Sequence, residues 1–290
     1  MTISVVIPTL NEERSLPATL TRAAESGVDE VIVVDGGSTD HTREVVLAFA
    51  PAQGQSRQQS ASSFQLSPPD VHLPALSPQH SVLRQAQDPT RLSSPVESLF
   101  VERSQAEPCR GAPSTVVLLT APPGRAPQMN AGAAASRGQI LLFLHADTLL
   151  PPDARSAIEK ALEDPAYVGG RFDVRFERDS GLGRLIGCLI NLRSRWTGIA
   201  TGDQAIFVRR SVFERLGGFS DIPIMEDVDL TQRLKRIGRV AALRLQVVTS
   251  FRRWDSCGPM RTIALMWVLR FLYWVGLSPG TLSRFYGTAR

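Results

Sequence analysis

Apolar and polar positions alternate in blocks along the first fifty residues, as they do in strands followed by helices. Residues 3–7 form a continuous, largely β-branched run that stops at Pro8, and residues 31–34 form a second run. Continuous apolar runs of this length are typical of buried parallel strands. Asn11 is expected to cap a first helix, and a second helix is expected over residues 41–50. The pattern predicts the β-α-β-α start of a doubly wound α/β sheet.

The same alternation resumes at residue 114. The predicted strands are residues 115–119, 139–144, 168–176 and 240–249. The predicted helices are residues 128–136, 152–162, 182–195 and 227–237. This order assigns residues 1–50 and 114–250 to one α/β domain with a mostly parallel sheet flanked by helices.

Residues 51–113 differ from the rest of the chain in composition. They hold nine of the 20 Pro residues and no Lys, and no sustained apolar period runs through them. Such a segment buries too little apolar surface to offset the entropy lost on ordering, so we predict a low-complexity, disordered insertion. Because the entropy of loop closure grows only logarithmically with length, a surface connection can carry it.

Residues 251–290 form a basic and apolar tail. Residues 262–277 are apolar except for Arg270, which predicts a C-terminal apolar helix. Sixteen residues are short for the hydrocarbon core of a bilayer, which takes about 20 residues to span. A helix docked on the domain and an interfacial helix on a membrane, with contact through residues 259–277, both explain this pattern.

Charge is distributed unevenly around a net value of +4. Residues 1–50 carry three Arg against eight Asp and Glu, whereas the last forty residues carry six Arg against one Asp. Nucleic-acid binding requires a basic stripe with groove-reading elements, and the acidic first segment argues against it. A basic, apolar tail favours a membrane surface instead.

The number of cysteines and the charge of the N-terminal residues indicate the cellular compartment. Three distant cysteines argue against a disulfide framework, and no basic segment precedes the first apolar run. We therefore expect a cytoplasmic protein, with peripheral contact at the inner face of the membrane as an open alternative.

Polar clusters follow three of the predicted strands. They are residues 8–12, residues 35–40, and the pair His145 and Asp147. Because ligands of open α/β sheets bind at the carboxyl ends of strands, these clusters are expected at one rim. Asp147 offers a hard oxygen to Mg²⁺ or Mn²⁺, with His145 as a ligand or a partner of a ligand. Each cluster alone could be a capped turn, but three in one sheet favour a binding site.

Three further clusters could contribute chemistry. Glu226 and Asp227 could supply a general base that takes a proton from an attacking hydroxyl, or merely complement a helix dipole. Asp227 and Asp229 lie on different faces of their helix, so at most one of them points into a cleft beside Glu226. A second cluster, Asp203 and Gln204, directly precedes an apolar run. The third cluster follows the last predicted strand and consists of Arg252, Arg253 and Trp254.

Two phosphate-binding motifs are absent. No G-x-G-x-x-G spacing follows the first strand, and no Walker phosphate loop occurs. Dinucleotide binding is therefore disfavoured.

Five motifs in this order resemble glycosyltransferase family 2. They are residues 3–12, 33–40, 128–132, 144–147 and 226–227. The resemblance covers nearly all of residues 1–50 and 114–250. It implies a GT-A-type, Rossmann-like fold and transfer of a sugar from a nucleotide-diphospho-sugar donor to an acceptor hydroxyl. Such transfer is usually inverting and dependent on a divalent metal.

The resemblance also implies roles for individual residues. The residues that would contact the donor are Thr9, Glu12, Asp35, Gly37, Arg125 and Asn130. Asp147, with His145, would hold the metal on the donor diphosphate. Asp227 would be the base, with Glu226 beside it. The residues bordering the acceptor and the diphosphate would be Asp203, Gln204, Arg252, Arg253 and Trp254.

Two departures from the family pattern leave alternatives open. His145 occupies the first position of the usual Asp-x-Asp motif, as in a subgroup of small bacterial members with Leu-His-Ala-Asp. The insertion at 51–113 is the second departure. Both favour a catalytically silent nucleotide-sugar-binding module, whereas retention of Asp147, Glu226 and Asp227 favours an enzyme. A nucleotidyltransferase is disfavoured because residues 8–14 are acidic rather than glycine-rich and basic. The identities of the acceptor and of the sugar stay open. A lipid-linked compound would suit as the acceptor.

Overall fold

The computed structural model describes residues 1–49, 102–105, 115–178 and 181–287. The strands are β1 Ile3–Thr9, β2 Glu30–Asp35, β3 Glu102–Gln105, β4 Thr115–Thr120, β5 Ile140–Phe143, β6 Thr148–Leu149, β7 Tyr167–Phe176, β8 Ile206–Arg209 and β9 Arg239–Thr249. The helices are α1 Leu16–Glu25, α2 Thr42–Phe49, α3 Arg125–Ala135, α4 Ala154–Ala161, α5 Gly181–Thr197, α6 Arg210–Arg215, α7 Glu226–Ile237, α8 Arg252–Cys257, α9 Pro259–Trp274 and α10 Pro279–Gly287. Each strand and helix predicted above is present, and apart from the start of the first helix the ends are shifted by about three residues or fewer.

The strands form one sheet in the order β3-β4-β2-β1-β5-β8-β7-β9-β6. The neighbours β4, β2, β1 and β5 run parallel, as predicted. The second half is mixed, because β8 is antiparallel to both β5 and β7, and β6 is antiparallel to β9. Burial on both faces leaves the same apolar signature in either strand direction, so the sequence could not reveal this change.

One part of the predicted insertion is ordered into the sheet. β3 pairs antiparallel with β4, with Glu102 opposite Leu118 and Gln105 opposite Thr115. Its sequence, Glu-Arg-Ser-Gln, has no apolar run, which is why it escaped prediction; a short polar strand suits the edge of a sheet. The rest of the predicted disorder, residues 51–101 and 106–113, lies outside the described residues.

Two apolar layers bury the sheet. Val5 and Ile7 of β1 pack in one layer with Leu20 of α1, whereas Val6 packs in the opposite layer with Met129 of α3. The alternation follows from the two-residue period of a strand. Full burial of such a side chain contributes roughly 1.5–3 kcal/mol, so the polar residues of β1, β2 and β5 lie at or next to the strand ends.

Asn11 does not cap α1, contrary to the prediction. The helix begins five residues later, at Leu16 after Ser15, and Asn11 adopts a left-handed backbone with φ of 57°. Its Oδ1 atom accepts a hydrogen bond from the backbone N–H of Thr39 at 2.8 Å, and its own N–H donates to Ser38 Oγ at 2.9 Å. Asn11 therefore joins the loops that follow β1 and β2.

The C-terminal helix α9 docks on the domain through part of its surface. Leu269 is 1% exposed and packs with Ile224 and Leu282. Other apolar side chains of α9 face solvent, among them Trp267 and Trp274. Among the described residues, no helix is long and apolar enough to cross a membrane.

Candidate functional site

A cleft of about 460 Å³ opens where β5, β9 and the start of α7 come together. Helices α5 and α9 line it with apolar side chains. The charged residues that line it are Arg125, Asp147, Arg193, Asp203, Glu226, Asp227 and Arg270. His145 and Trp254 line it as well. Seven of the residues predicted from sequence therefore meet in one place.

A separate hollow of about 570 Å³ lies between β7 and α5. Its carboxylate, Asp173, already forms ion pairs with Arg171 and Arg195. Because that acid is committed to two guanidinium groups, the hollow is a poor candidate for acid–base chemistry.

The strand-end carboxylate Asp147 belongs to a charged group on the rim of the cleft. Arg252 Nη2 lies 2.9 Å from Glu12 Oε2 and 3.6 Å from Asp147 Oδ2. Burial, and next the charge of Glu12, raise the pKa of Asp147 above its usual range. Two carboxylates that share one guanidinium retain negative potential, so this rim can attract a cation.

The turn after β2 is held by hydrogen bonds to the carboxylate of Asp35, the last residue of the strand. Asp35 accepts hydrogen bonds from the backbone N–H groups of Gly37 and Ser38, each at 3.2 Å. Gly37 has φ of 91°, in the left-handed region that favours glycine. Asp35 is fully buried in this structure, so its contact with a nucleoside stays a prediction.

Three predicted ligand contacts point into the protein instead. Thr9 is 2% exposed, and its hydroxyl donates to the carbonyl of Val34 at 3.3 Å. Gln204 is fully buried, and its Oε1 accepts from the N–H of Thr201 at 3.3 Å. Both side chains are engaged by backbone groups in this structure, so their direct contact with a ligand stays a prediction.

Asn130 is the third. Its Nδ2 donates to the Phe219 carbonyl and its Oδ1 accepts from the Phe219 N–H, both at 2.9 Å. Gly218 makes this close approach possible, since its φ is 76° and a Cβ there would lie 2.6 Å from Asn130 Oδ1. The ring of Phe219 packs edge-on against Phe143 at 4.7 Å. Asn130 thus fixes the loop that leads to α7 and does not face the cleft.

The turn at residues 202–204 brings two site residues together. The backbone N–H of Gly202 donates to Asp227 Oδ2 at 2.6 Å. A Cβ on Gly202 would collide with Nε2 of His145. The glycine at this position leaves room for the carboxylate and the imidazole at the same turn.

Glu226 lies beside Asp227 at the start of α7 and is 4% exposed. Its Oε1 lies 3.8 Å from Arg125 Nη1. Burial, and next the charge of Asp227, raise the pKa of Glu226 to about 7, against the opposing effect of Arg125. Glu226 is therefore partly protonated near neutral pH.

The next acidic residue of α7 points elsewhere, as its position on the helix predicted. Asp229 forms an ion pair with Arg233 at 2.7 Å and accepts from Ser220 Oγ at 2.6 Å. Arg233 also donates to the carbonyls of Leu216 and Gly218. These bonds hold the loop before α7 against the helix.

Backbone strain surrounds the site. Among the described residues, the non-glycine residues with positive φ are Asn11, Ala205 and Met225. Ala205 follows the turn that holds Asp227, and Met225 directly precedes Glu226. Strained backbone is characteristic of positions where a side chain must be held for function.

Of the remaining predicted residues, Trp254 stacks on Phe251 and packs edge-on against Phe176 while lining the cleft. The side chain of Arg253 lies outside the described residues. Sequence reasoning missed Arg193 of α5, since an arginine in an amphipathic helix is typically solvated. Arg270 is the charge in the apolar run of the basic tail, which the sequence relates to a membrane surface or a lipid-linked acceptor.

The model of the family described as Glycosyl transferase family 2 matches residues 4–58 and 103–217. The match spans more than half of the chain, and the chain belongs to this family. The family expected from the five motifs is therefore confirmed.

A curated relative is the PGL/p-HBAD biosynthesis glycosyltransferase of Mycobacterium tuberculosis, strain ATCC 25177 / H37Ra. It is 46% identical over 54 residues, which are 18% of this chain and 21% of that protein. Its counterpart in Mycobacterium bovis BCG matches to the same extent. The chain thus matches about a fifth of the length of these relatives.

Solved structures resemble this one over most of the chain. Staphylococcus aureus TarS 1-349 in complex with UDP-GlcNAc has a TM-score of 0.51 at 15% identity, covering 86% of this chain and 58% of that one. The mannosyltransferase PcManGT from Pyrobaculum calidifontis, in complex with GDP-Man and Mn²⁺, has a TM-score of 0.50 at 21% identity, covering 85% and 56%. These similarities confirm the α/β fold of the GT-A type.

The raised pKa of Glu226 predicts how stability changes with pH. The folded state binds more protons than the unfolded state between the ordinary pKa of 4.5 and about 7. Stability contributed by the protonated carboxyl is therefore present below pH 4.5 and is lost as pH rises towards 7. A shift of this size corresponds to roughly 3 kcal/mol. We expect Glu226→Gln to melt at a higher temperature than wild type at pH 8, and at a similar temperature at pH 5.

The exposed ion-paired residue Glu25 provides a control, because Glu25→Gln should not change the difference between the two pH values. A Glu226→Gln protein whose melting temperature follows that of wild type from pH 5 to pH 8 would contradict the account of Glu226.

Proposed function

We propose that this protein transfers a sugar from a nucleotide-diphospho-sugar to an acceptor hydroxyl. The observation that carries the proposal is the meeting of Asp147, Arg125 and the pair Glu226–Asp227 in one cleft of a family 2 chain. The solved complexes of TarS with UDP-GlcNAc and of PcManGT with GDP-Man support a donor of this class.

The donor would lie at the rim formed by the ends of β1, β2 and β5. Its nucleoside would lie against Glu12, Arg125 and the turn that contains Asp35 and Gly37. Arg252 is 54% exposed at its side chain and lies between Glu12 and Asp147, where a guanidinium can bind a diphosphate.

A divalent metal fits this rim as a companion of the diphosphate. Among the described residues, no three His, Cys, Asp or Glu side chains lie close enough to form a metal site by themselves. Mg²⁺ and Mn²⁺ sites in phosphate-using enzymes commonly take one or two protein carboxylates and complete their shell with phosphate oxygens and water. Asp147 would supply the carboxylate, with His145 beside it, and the ion would neutralise charge on the leaving diphosphate.

Asp227 is the proposed base. The hydrogen bond from the Gly202 N–H holds its Oδ2 at the cleft, next to the partly protonated Glu226. The acceptor hydroxyl would attack the anomeric carbon opposite the leaving group and give its proton to Asp227. One C–O bond forms as the bond to the diphosphate breaks, so the anomeric configuration inverts. Arg125 and Arg252 would stabilise the departing negative charge.

Replacement of Asp227 tests this assignment. We expect Asp227→Asn to lower release of nucleoside diphosphate from the donor by about 10²–10⁴, because a general base contributes that factor, while donor affinity is kept. Release would be followed with water or a supplied alcohol as acceptor, and donor affinity by calorimetry. The exposed Asp221 lies outside the cleft, and Asp221→Asn serves as the matched control.

Equal release by Asp227→Asn and wild type would remove the base assignment. Donor binding by wild type with no release to any acceptor would instead favour the silent binding module.

We further propose that the protein contacts a membrane surface and takes a lipid-linked acceptor. Apolar side chains of α5 and α9 are exposed on either side of the cleft that these helices line. The most exposed are Leu192, Trp196, Met260, Trp267 and Trp274, at 61–90%. Large exposed apolar patches mark interaction sites, and tryptophans beside arginines suit the interface of an anionic bilayer.

Vesicle sedimentation tests the membrane contact. We expect wild type to bind vesicles with one quarter anionic lipid, and Trp196→Ser/Trp274→Ser to bind at least tenfold more weakly because buried indole area is lost. Leu47→Ser, which removes an exposed apolar residue of α2, should leave binding unchanged. Wild-type protein that ignores the vesicles, or that covers this surface by dimerising in solution, would contradict the contact.

A further inference from the structure

Two arginines in the cleft have no acidic partner in direct contact. Arg193 on α5 and Arg270 on α9 line the same cleft as Glu226 and Asp227. Within the described part of the chain, neither guanidinium has a carboxylate oxygen within the 4.0 Å that defines an ion pair. Arg193 Nε is buried without a hydrogen-bond partner, and Arg193 Nη2 makes a single long bond, 3.4 Å, to Thr201 Oγ1.

Three other arginines of the described chain are better satisfied. Arg171 is paired with Asp173, and Arg233 with Asp229. Arg210 donates to two backbone carbonyls and to Ser136 Oγ. Because a buried polar atom without a partner is costly, the partnerless Nε of Arg193, in the same cleft as the half-buried Arg270, indicates that a partner arrives with a ligand.

Electrostatics in the cleft favour an anion at this position. Burial lowers the pKa of Arg193 to about 10, and the charge of Arg270 is the next cause. Arg193 is still a cation at neutral pH, and the positive charge of Arg270 repels it. The carboxylates Asp203 and Asp227 oppose this effect from a distance, and Asp203 Oδ1 is itself buried without a partner. An oxyanion that accepts from both guanidinium groups would relieve the repulsion.

The surroundings of the two arginines are apolar. Leu189 and Ile190 of α5, and Ile263 and Met266 of α9, line the same cleft. A ligand that meets both features has an anionic group joined to an apolar body.

We propose that Arg193 and Arg270 form an anion subsite for the acceptor, which carries a phosphate or carboxylate group next to an apolar portion. The inference rests on the proposed function, since it assigns this side of the cleft to the acceptor and the rim at Asp147 to the donor. With its anionic group held by the two guanidinium groups, the acceptor would present its hydroxyl to Asp227. The two arginines would bind the acceptor and set its specificity.

Calorimetry with decyl phosphate, below its micellar concentration, tests the subsite. We expect wild-type protein to bind it, and Arg193→Gln and Arg270→Gln each to weaken binding about tenfold or more, since each removes a charged hydrogen-bond donor. Arg193→Lys and Arg270→Lys should recover part of the loss because they keep the charge. Arg261 is exposed on α9 outside the cleft, and Arg261→Gln should bind as wild type does.

Two further probes separate the sources of the anion. Weaker binding of inorganic phosphate and of the uncharged decyl maltoside than of decyl phosphate would support an amphiphilic acceptor. Inorganic phosphate that binds as tightly as decyl phosphate would overturn the apolar half of the proposal and indicate a small phosphorylated acceptor. Decyl phosphate that binds the glutamine variants as tightly as wild type would overturn the whole proposal.

Binding of UDP and GDP with Mn²⁺, measured on the same variants, separates this inference from the proposed function. Unchanged nucleotide affinity in the glutamine variants supports the assignment to the acceptor. Loss of nucleotide affinity alone would reassign the arginines to the donor diphosphate and overturn it. Arginine-dependent binding of decyl phosphate by a protein that binds no nucleotide would refute the proposed function and leave the anion subsite standing.

Discussion

Burial of the central strands on both faces is the constraint from which the site arises. Residues of β1, β2 and β5 pack alternately into the two apolar layers, so the chain can become polar only where these strands end. Because the three strands run parallel, those ends lie at one rim. Glu12, Asp35 and Asp147 are placed there by the same requirement that stabilises the fold. Burial thus determines where the polar rim lies, and the sequence determines which side chains it carries.

Several charged side chains in and beside the cleft lie next to groups of the same charge and are only partly neutralised. Glu226 is partly protonated near neutral pH because it is buried and because Asp227 lies beside it. Asp147 and Glu12 share Arg252. Arg193 and Arg270 repel each other on the opposite side. A metal with a diphosphate at one side, and an anionic acceptor at the other, would each supply the missing charge. Residual strain at Ala205 and Met225 is consistent with a site held in place by its surroundings.

Much of the fold and the centre of the site could be predicted from the sequence. The apolar runs located the strands, and Asp147, Glu226 and Asp227 do line one cleft. Motif position alone did not reveal which way a side chain points. Thr9 and Gln204 are close in sequence to residues predicted to contact ligands. Their own side chains point into the protein and form hydrogen bonds with backbone groups.

Long-range contacts account for the other differences. Asn130 binds the backbone of a residue 89 positions away, and the edge strand β3 is polar and has no apolar signal. The role of Arg193 depends on α9 packing near α5, a tertiary contact with no local signature. The apolar tail docks on the domain through Leu269, which packs with Ile224 and Leu282, and leaves Trp267 and Trp274 exposed.

Ligand-dependent stability tests most directly the claim that the acidic rim binds a nucleotide diphosphate with a metal. UDP, GDP, CDP and TDP would each be added with and without Mn²⁺ to wild type, to Asp147→Ala and to the exposed control Asp255→Ala. At a hundredfold excess over its dissociation constant a ligand stabilises the folded state by about 2.7 kcal/mol, which a melting curve resolves. The account predicts a rise in melting temperature for one nucleotide that requires Mn²⁺, persists in Asp255→Ala and is lost in Asp147→Ala. No rise with any nucleotide, or the same rise in Asp147→Ala, would contradict it.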